Sequence, residues 1–130
     1  MGERAHAAAF RAALTAAGVP TYDFGDAAIG PDVAPANLPK VYALLALEQR
    51  FGAPMTMGGS RPVLAWRLST RAVGRTVNEA RWGRERLHAA LADARMAHTE
   101  TPIRLESETA IEPDEGVFSG LTTWTYTARP

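Results

Sequence analysis

A change in the spacing of apolar residues near the middle of the chain constrains its fold more than any other feature. Over residues 63–71 apolar and polar side chains alternate, with Leu64, Trp66 and Leu68 on one side, which is the pattern of a half-buried β-strand. From Thr76 onward the apolar residues recur at spacings of three and four, which is the pattern of an amphipathic helix. They are Val77, Ala80, Gly83, Leu87, Ala90, Leu91 and Ala94. The sequence therefore predicts a strand followed closely by a helix.

The start of that helix carries its own signal. Thr76 is followed three residues later by Glu79, which fits a capping box in which both side chains accept hydrogen bonds from backbone N–H groups. Gly83 lies within the apolar stripe, where a glycine favours close approach of the helix backbone to the sheet. Trp82 points away from the stripe, beside Arg86, and is expected on the solvent side of an isolated subunit.

The first half of the chain predicts one more helix and one more strand. Residues 3–17 are rich in alanine, with Phe10 and Leu14 one turn apart and Gly18 as a C-terminal stop, which predicts a helix. Residues 41–51 fit a helix by propensity and fit a strand covered on both sides by their two apolar faces. We assign them to a strand, partly on the resemblance described below.

The other segments complete an α+β domain. Residues 19–24 fit an extended edge, and residues 52–61 a hairpin loop. Residues 103–111 alternate and have an acidic outer face, residues 112–116 form a turn, and residues 121–128 are rich in strand formers. We predict a mainly antiparallel sheet of about four strands with two helices packed on it, in the order α-β-β-α-β-β.

Length and composition fit one soluble domain. Residues 1–130 are enough for one core of ordinary size and too few for two domains. The chain has no cysteine, which excludes disulfides and thiolate metal sites. The longest apolar run, residues 41–47, is far shorter than the ~20 residues of a membrane span, and no secretory apolar region follows the first residues. We therefore expect an intracellular protein with no membrane contact.

Charge is balanced overall but segregated along the chain. The formal net charge is zero, which argues against a generally basic nucleic-acid binder. Residues 61–86 hold seven arginines and two glutamates, whereas residues 100–115 hold six acidic residues and one arginine. Opposite segments on one chain are what complementary neighbouring copies need.

The sequence offers no assembled catalytic group. His6, His88 and His98 stand apart, and the ten-residue gap between the last two is not a metal-ligand spacing. The glycines fit neither the phosphate-loop nor the dinucleotide-binding spacing. We expect no enzymatic activity, no cofactor and no metal.

A nucleic-acid-binding module is the alternative from a different functional class. The arginines of the second helix spread around it and do not form one stripe, which suits ion pairs better than a phosphate track. The alternative gains weight only if the arginines of the strand and helix converge on one face. These are Arg67, Arg71, Arg75, Arg81 and Arg84.

Three segments together resemble the tail terminator proteins of long-tailed bacteriophages, particularly those from actinobacterial hosts. They are residues 38–45 (LPKVYALL), residues 66–82 (WRLSTRAVGRTVNEARW), and residues 106–126 with the motifs ESE, PD, FSG and WTY. The most specific part is the strand–turn–helix from Trp66 to Trp82. The resemblance implies an α+β subunit with a first helix, a mainly antiparallel sheet and a second helix packed on it.

The resemblance also implies a function. Such proteins form a ring, usually of six subunits, that sits on the tail tube, stops its polymerisation and offers a surface to the head connector, while DNA passes through the lumen. We therefore expect a structural virion protein at the head-proximal end of the tail, assembled in the host cytoplasm. Its partners would be further copies of itself, the tail tube protein and the head–tail connector, with DNA only as passing cargo. A head–tail stopper or a tail tube component is the nearest alternative.

Three surfaces follow as hypotheses. A closed ring needs two different surfaces on each subunit, and aromatic and arginine side chains are enriched at interface hot spots. The predicted subunit interface comprises Trp82, Arg86, Arg75 and Arg71. The predicted tube or connector contact loop, with adaptable methionines, comprises Met55, Met57, Gly58 and Gly59. The predicted lumen-facing residues, whose like charge would keep DNA from sticking, are Glu106, Glu108, Asp114 and Glu115.

Overall fold

The computed structural model describes residues 2–30, 33–34, 37–50, 55–57 and 61–129. Within them the chain forms two α-helices and seven strands, with a 3₁₀ turn at Ala27–Ile29. In chain order the elements are α1 (Glu3–Ala16), β1 (Thr21–Asp23), β2 (Val41–Gln49), β3 (Met55–Met57), β4 (Arg61–Gly74), α2 (Val77–Leu91), β5 (Arg104–Glu108), β6 (Glu112–Asp114) and β7 (Val117–Ala128). No helix in this part of the chain is long and apolar enough to cross a membrane.

The strands form a sheet in the order β1-β2-β4-β7-β5. Its centre is the long antiparallel pair of β4 and β7, which runs from Leu64 opposite Ala128 to Gly74 opposite Phe118. The short strand β3 pairs with the start of β4, and β6 pairs with the start of β7. Only β1 is parallel to its neighbour among these pairs, so the sheet is mostly antiparallel.

The two faces of the sheet differ in what covers them. Both helices lie on one face, where Phe10 and Leu14 of α1 and Leu87 and Leu91 of α2 join the core. Strand residues on the same face complete it: Ala43, Leu45, Trp66, Leu68, Ala72, Trp124, Tyr126 and Ala128. Neither of the two described helices covers the opposite face, which we call the open face. Directly paired residues share a face. The central rows of the open face are therefore Tyr42, Leu44, Ala46 and Glu48 of β2, Val73, Arg71, Ser69 and Arg67 of β4, and Ser119, Leu121, Thr123 and Thr125 of β7.

The junction between β4 and α2 forms as predicted, with one shift. The Thr76 hydroxyl accepts a hydrogen bond from the Glu79 N–H at 3.1 Å. The Glu79 carboxylate accepts in return from the backbone N–H of Arg75, one residue before the cap. A Cβ at Gly83 would come 2.8 Å from Val41 Cγ1, which confirms that the helix backbone approaches the sheet closely at this glycine.

The first helix also ends where its sequence indicates. Gly18 has a φ of 93°, the left-handed conformation that glycine adopts without strain. The Val19 N–H then reaches back to the Leu14 carbonyl at 3.1 Å, and both side chains are buried. After this cap, the chain therefore leads from α1 directly to Val19, which is part of the core.

The α+β class and the two helices are confirmed. The assignment of residues 41–51 to a strand is confirmed for Val41–Gln49, whereas residue 51 lies outside the described residues. The prediction of about four strands in the order α-β-β-α-β-β is wrong, because the described residues form seven strands. The three additional strands, β1, β3 and β6, have three residues each. Such short strands show no period that a sequence pattern can reveal. The predicted turn over residues 112–116 narrows to Glu115 and Gly116, whose φ values of 48° and 88° fit a type I′ hairpin between β6 and β7.

Candidate subunit interface

The outer face of α2 is the surface where the predicted contact residues are most exposed. Trp82 is 41% exposed, and the guanidinium carbon of Arg86 lies 5.1 Å from its ring centroid. This is the distance of a cation–π contact, which an i,i+4 spacing on a helix allows. The exposed row on this face, which we call the outer face of α2, is Asn78, Arg81, Trp82, Glu85, Arg86 and Ala89.

The two arginines of the outer face have no acidic partner among the described residues. In the described part of the chain, the ion pairs engage other residues, and none of them includes Arg81 or Arg86. The prediction that Trp82 lies away from the apolar stripe is confirmed. Its role between subunits stays a prediction.

A groove of about 550 Å³ lies between α2 and residues 108–111, and Arg81 and Glu85 of the outer face form part of its lining. At its base the Glu108 carboxylate lies 2.5 Å from His88 Nε2 and 3.4 Å from Arg84 Nη1, and it accepts a hydrogen bond from the Thr122 hydroxyl at 3.0 Å. Arg84 also donates to the Thr109 carbonyl at 2.7 Å. These contacts tie β5 and β7 to α2.

The carboxylate in this groove is held ionised. Burial alone would raise the pKa of Glu108, but the hydrogen bonds from His88 and Thr122 and the charge of Arg84 outweigh burial and lower that pKa. No group of three or more potential metal ligands occurs among the described residues. The contacts of Glu108 with His88, Arg84 and Thr122 join α2 to the sheet.

A β-bulge separates two carboxylates that the sequence placed together. The pairing of β5 with β7 shifts between Leu105 and Ser107, so that Glu108 reaches α2 while Glu106 reaches Arg67 on the open face at 2.9 Å. The prediction of one acidic outer face for this strand is wrong for that reason. A bulge inserts one residue and reverses the alternation beyond it.

The open face carries its own charged network. Arg67 lies between Glu106 and Glu48, the latter at 3.2 Å, and Arg71 donates to the Ser119 hydroxyl at 3.0 Å. Asp114 is opposite Val117 and therefore shares this face. Burial, then the charges of Asp114 and Tyr22, raise the pKa of Tyr42, which places Asp114 near that buried phenol.

The predicted interface residues lie at three places. Trp82 and Arg86 are on the outer face of α2, and Arg71 is on the open face. Arg75 lies in the turn between β4 and α2, where its side chain donates to the Leu38 carbonyl at 2.7 Å. The arginines of β4 and α2 do not converge, since Arg67 and Arg71 bond on the open face and Arg84 bonds on the helix side. The condition set for the nucleic-acid alternative is therefore not met.

The other two predicted surfaces are described only in part. Of the acidic set, Glu106 and Glu108 are in ion pairs on opposite sides of the sheet, while Asp114 and Glu115 are exposed at the β6–β7 hairpin. Their place at a lumen stays a prediction. Met55 and Met57 belong to β3, which pairs with β4, and Gly58 and Gly59 lie outside the described residues.

Sequence reasoning missed a buried histidine cluster under α1. His6 and His98 are 0% and 8% exposed, with ring centroids 4.5 Å apart. His6 Nδ1 lies 2.7 Å from the Tyr126 hydroxyl, and its ring packs 4.6 Å from Trp66. Burial, then the charges of His98 and the amino terminus, lower the pKa of His6 to about 4, and burial lowers the pKa of His98.

The expectation that the three histidines stand apart is wrong, because His6 and His98 share this cluster and His88 contacts Glu108. The available signal is helical spacing. His6 precedes Phe10 by four residues and so lies on the buried stripe of α1.

Comparison with known proteins gives no family assignment: no protein-family model and no curated protein matches the sequence.

Proposed function

We propose that the chain is a structural virion protein that forms a ring, caps the tail tube of a long-tailed bacteriophage, stops tube polymerisation and offers a surface for head joining. The observation that carries the proposal is the exposed Trp82 with Arg86 above it on α2. This patch lies at the end of the strand–turn–helix segment in which the resemblance to tail terminators is most specific. An aromatic side chain beside an arginine is the typical composition of an interface hot spot.

The two-layer architecture supports a head-to-tail assembly. Because α2 packs on one face of the sheet, its outer face and the open face lie on opposite sides of the subunit. Two unlike surfaces on opposite sides allow each copy to bind the next, and a fixed rotation at every contact closes a ring. Six copies are the number expected from the resemblance.

The tail tube contact is proposed for the hairpin of β3 and β4. The pairing of β4 with β2 starts at Trp66 and its pairing with β7 starts at Leu64, whereas β3 pairs with residues 61–63. The hairpin therefore extends past the central sheet. Deleting residues 55–59 should leave the fold intact and abolish tube capping, and normal capping by the deletion variant would reject this contact.

The experiment that tests the function is assembly on purified tail tubes. The wild-type chain should form single rings at one tube end, seen by negative-stain electron microscopy, whereas a tube component would form filaments. Trp82→Ala and Arg86→Glu should leave folded monomers in analytical ultracentrifugation.

Phe24→Ala is the matched control, because Phe24 is also 41% exposed but lies beside β1, away from α2. It should assemble like the wild type. Unchanged rings from both α2 variants would reject the proposed interface.

A further inference from the structure

The outer face of α2 and one edge of the open face carry exposed charges of opposite sign. The outer face of α2 has Arg81 and Arg86, with Glu85 as its acidic residue. Neither arginine takes part in an ion pair within the described part of the chain. This side of the subunit therefore presents two guanidinium groups and an exposed indole to its surroundings.

The open face is acidic along one edge. Glu112 and Asp114 of β6 lie opposite Ser119 and Val117 of β7, and both therefore project from the open face. Both are exposed, and no ion pair of the described residues includes them. We call this pair the acidic margin. Glu106, which is also on the open face, is already in an ion pair with Arg67.

Apolar surface accompanies both charged sets. On the open face, Val117 and Leu121 beside the acidic margin are half-buried. On α2, the exposed ring of Trp82 lies between Arg81 and Arg86 in sequence. Each surface thus combines charge with a small apolar area, which is how the core and rim of a specific interface are composed.

We propose that, in the ring, the outer face of α2 of one copy packs against the acidic margin of the next copy, with Arg81 and Arg86 pairing with Glu112 and Asp114 and with Trp82 over the aliphatic surface beside them. This inference rests on the proposed function, and it names the two mating surfaces. It assigns the acidic margin to a subunit contact, and therefore not to the lumen. Charge complementarity fixes the orientation, because two outer faces or two acidic margins would repel each other.

Complementary charge reversal tests the contact on tail tubes. The helix variant carries Arg81→Glu and Arg86→Glu, and the margin variant carries Glu112→Lys and Asp114→Lys. Each variant alone should self-associate roughly a hundredfold more weakly than the wild type, because each places like charges in contact. An equimolar mixture should assemble again, since every contact in an alternating ring of even number is then between opposite charges.

Matched controls reverse exposed charges elsewhere. Arg95→Glu and Glu3→Lys each reverse one exposed charge away from both surfaces, and they should assemble like the wild type. Circular dichroism of each variant should match the wild type, which separates a lost contact from a lost fold.

Cross-linking supplies a second readout that does not depend on tubes. The chain has no cysteine, so Ala89→Cys on the outer face of α2 and Glu115→Cys beside the acidic margin give two chains with one thiol each and keep all four pairing residues. A mixture of these two chains should give a cross-linked dimer under a short thiol cross-linker, and a mixture of Arg95→Cys with Glu3→Cys should not.

The outcomes separate the contact from the function. The contact is overturned if either reversed variant alone assembles like the wild type, or if the mixture of the two stays monomeric. In either case, tube capping by the wild type still supports the proposed function. Specific cross-linking without any capping of tubes supports the contact and overturns the tail-terminator function. If the cross-linked dimer does not form and the equimolar mixture does not assemble, the contact is overturned.

Discussion

Trp66 and Trp82 each have cationic or titratable neighbours, and the two sites use them differently. Trp66 is 4% exposed and lies in the cluster of His6, His98 and Tyr126 under α1. Trp82 is 41% exposed and lies under the guanidinium of Arg86 on α2. The first site is closed by the fold of a single chain, whereas the second is open to a partner.

The protonation state of the neighbour explains the difference. The pKa of His6 is about 4, so the ring is neutral at pH 7 and can lie among aromatic rings without a charged partner. An arginine stays charged at any physiological pH, and burying it needs a carboxylate. We infer that Trp66 stabilises the fold and that Trp82 serves assembly, so changes at the two sites should have separable effects.

The largest expected effect is at the buried site. Trp66→Ala removes a fully packed indole and should lower the free energy of unfolding by about 3–5 kcal/mol. Denaturant unfolding followed by circular dichroism measures this change. A loss below about 1 kcal/mol would show that the cluster is not part of the core.

Acid should weaken the same cluster. An unfolded chain protonates His6 below its ordinary pKa of 6.5, whereas the folded chain takes up that proton only near pH 4. The free energy of unfolding should therefore fall as pH is lowered from about 6.5 to 4, by about 3 kcal/mol for a shift of this size. His6→Phe should remove most of this slope, with the remainder due to His98. An unchanged slope in this variant would contradict the assignment.

A smaller effect is expected at the start of α2. Thr76→Ala removes the hydroxyl that accepts from the Glu79 N–H and should cost about 1 kcal/mol of stability. The outer face of the helix is untouched, so assembly should persist wherever the chain remains folded. Denaturant titration and sedimentation of the same sample measure both properties, and loss of assembly in the folded variant would break the separation of the two sites.

The smallest effect on stability is expected at the exposed site. Trp82→Ala loses the contact with Arg86, which at an exposed position contributes about 0.5–1 kcal/mol. Assembly should nevertheless be lost. Parallel measurement of the unfolding midpoint and the sedimentation coefficient gives both numbers, and a large drop in stability would mean that the indole serves the fold.

The sequence predicted the parts of the fold in which a long period repeats. Residues 63–71 and the helix after Thr76 each repeat one pattern of apolar residues several times. The helix cap and the close approach at Gly83 could be predicted from single residues, because Thr and Gly have specific preferences at such positions. Trp82 could be placed on the outside because a helical wheel fixes the direction of every side chain.

The rest depends on long-range pairing. The three-residue strands exist because a neighbour offers backbone partners, and no local pattern records that. The bulge in β5 places Glu108 on the opposite face from Glu106, whereas regular alternation predicts that both side chains share one face. The cluster of His6 with His98 joins residues 92 positions apart in sequence, so only the fold brings them together.

The most direct test of the central claim, that copies of this chain close into a ring that caps a tail tube, is negative-stain electron microscopy of growing tail tubes with and without the purified chain. We predict single rings at one end of each tube and arrested tube growth when the chain is present. Tubes that keep growing with bare ends, while the chain sediments as a monomer, would contradict the account.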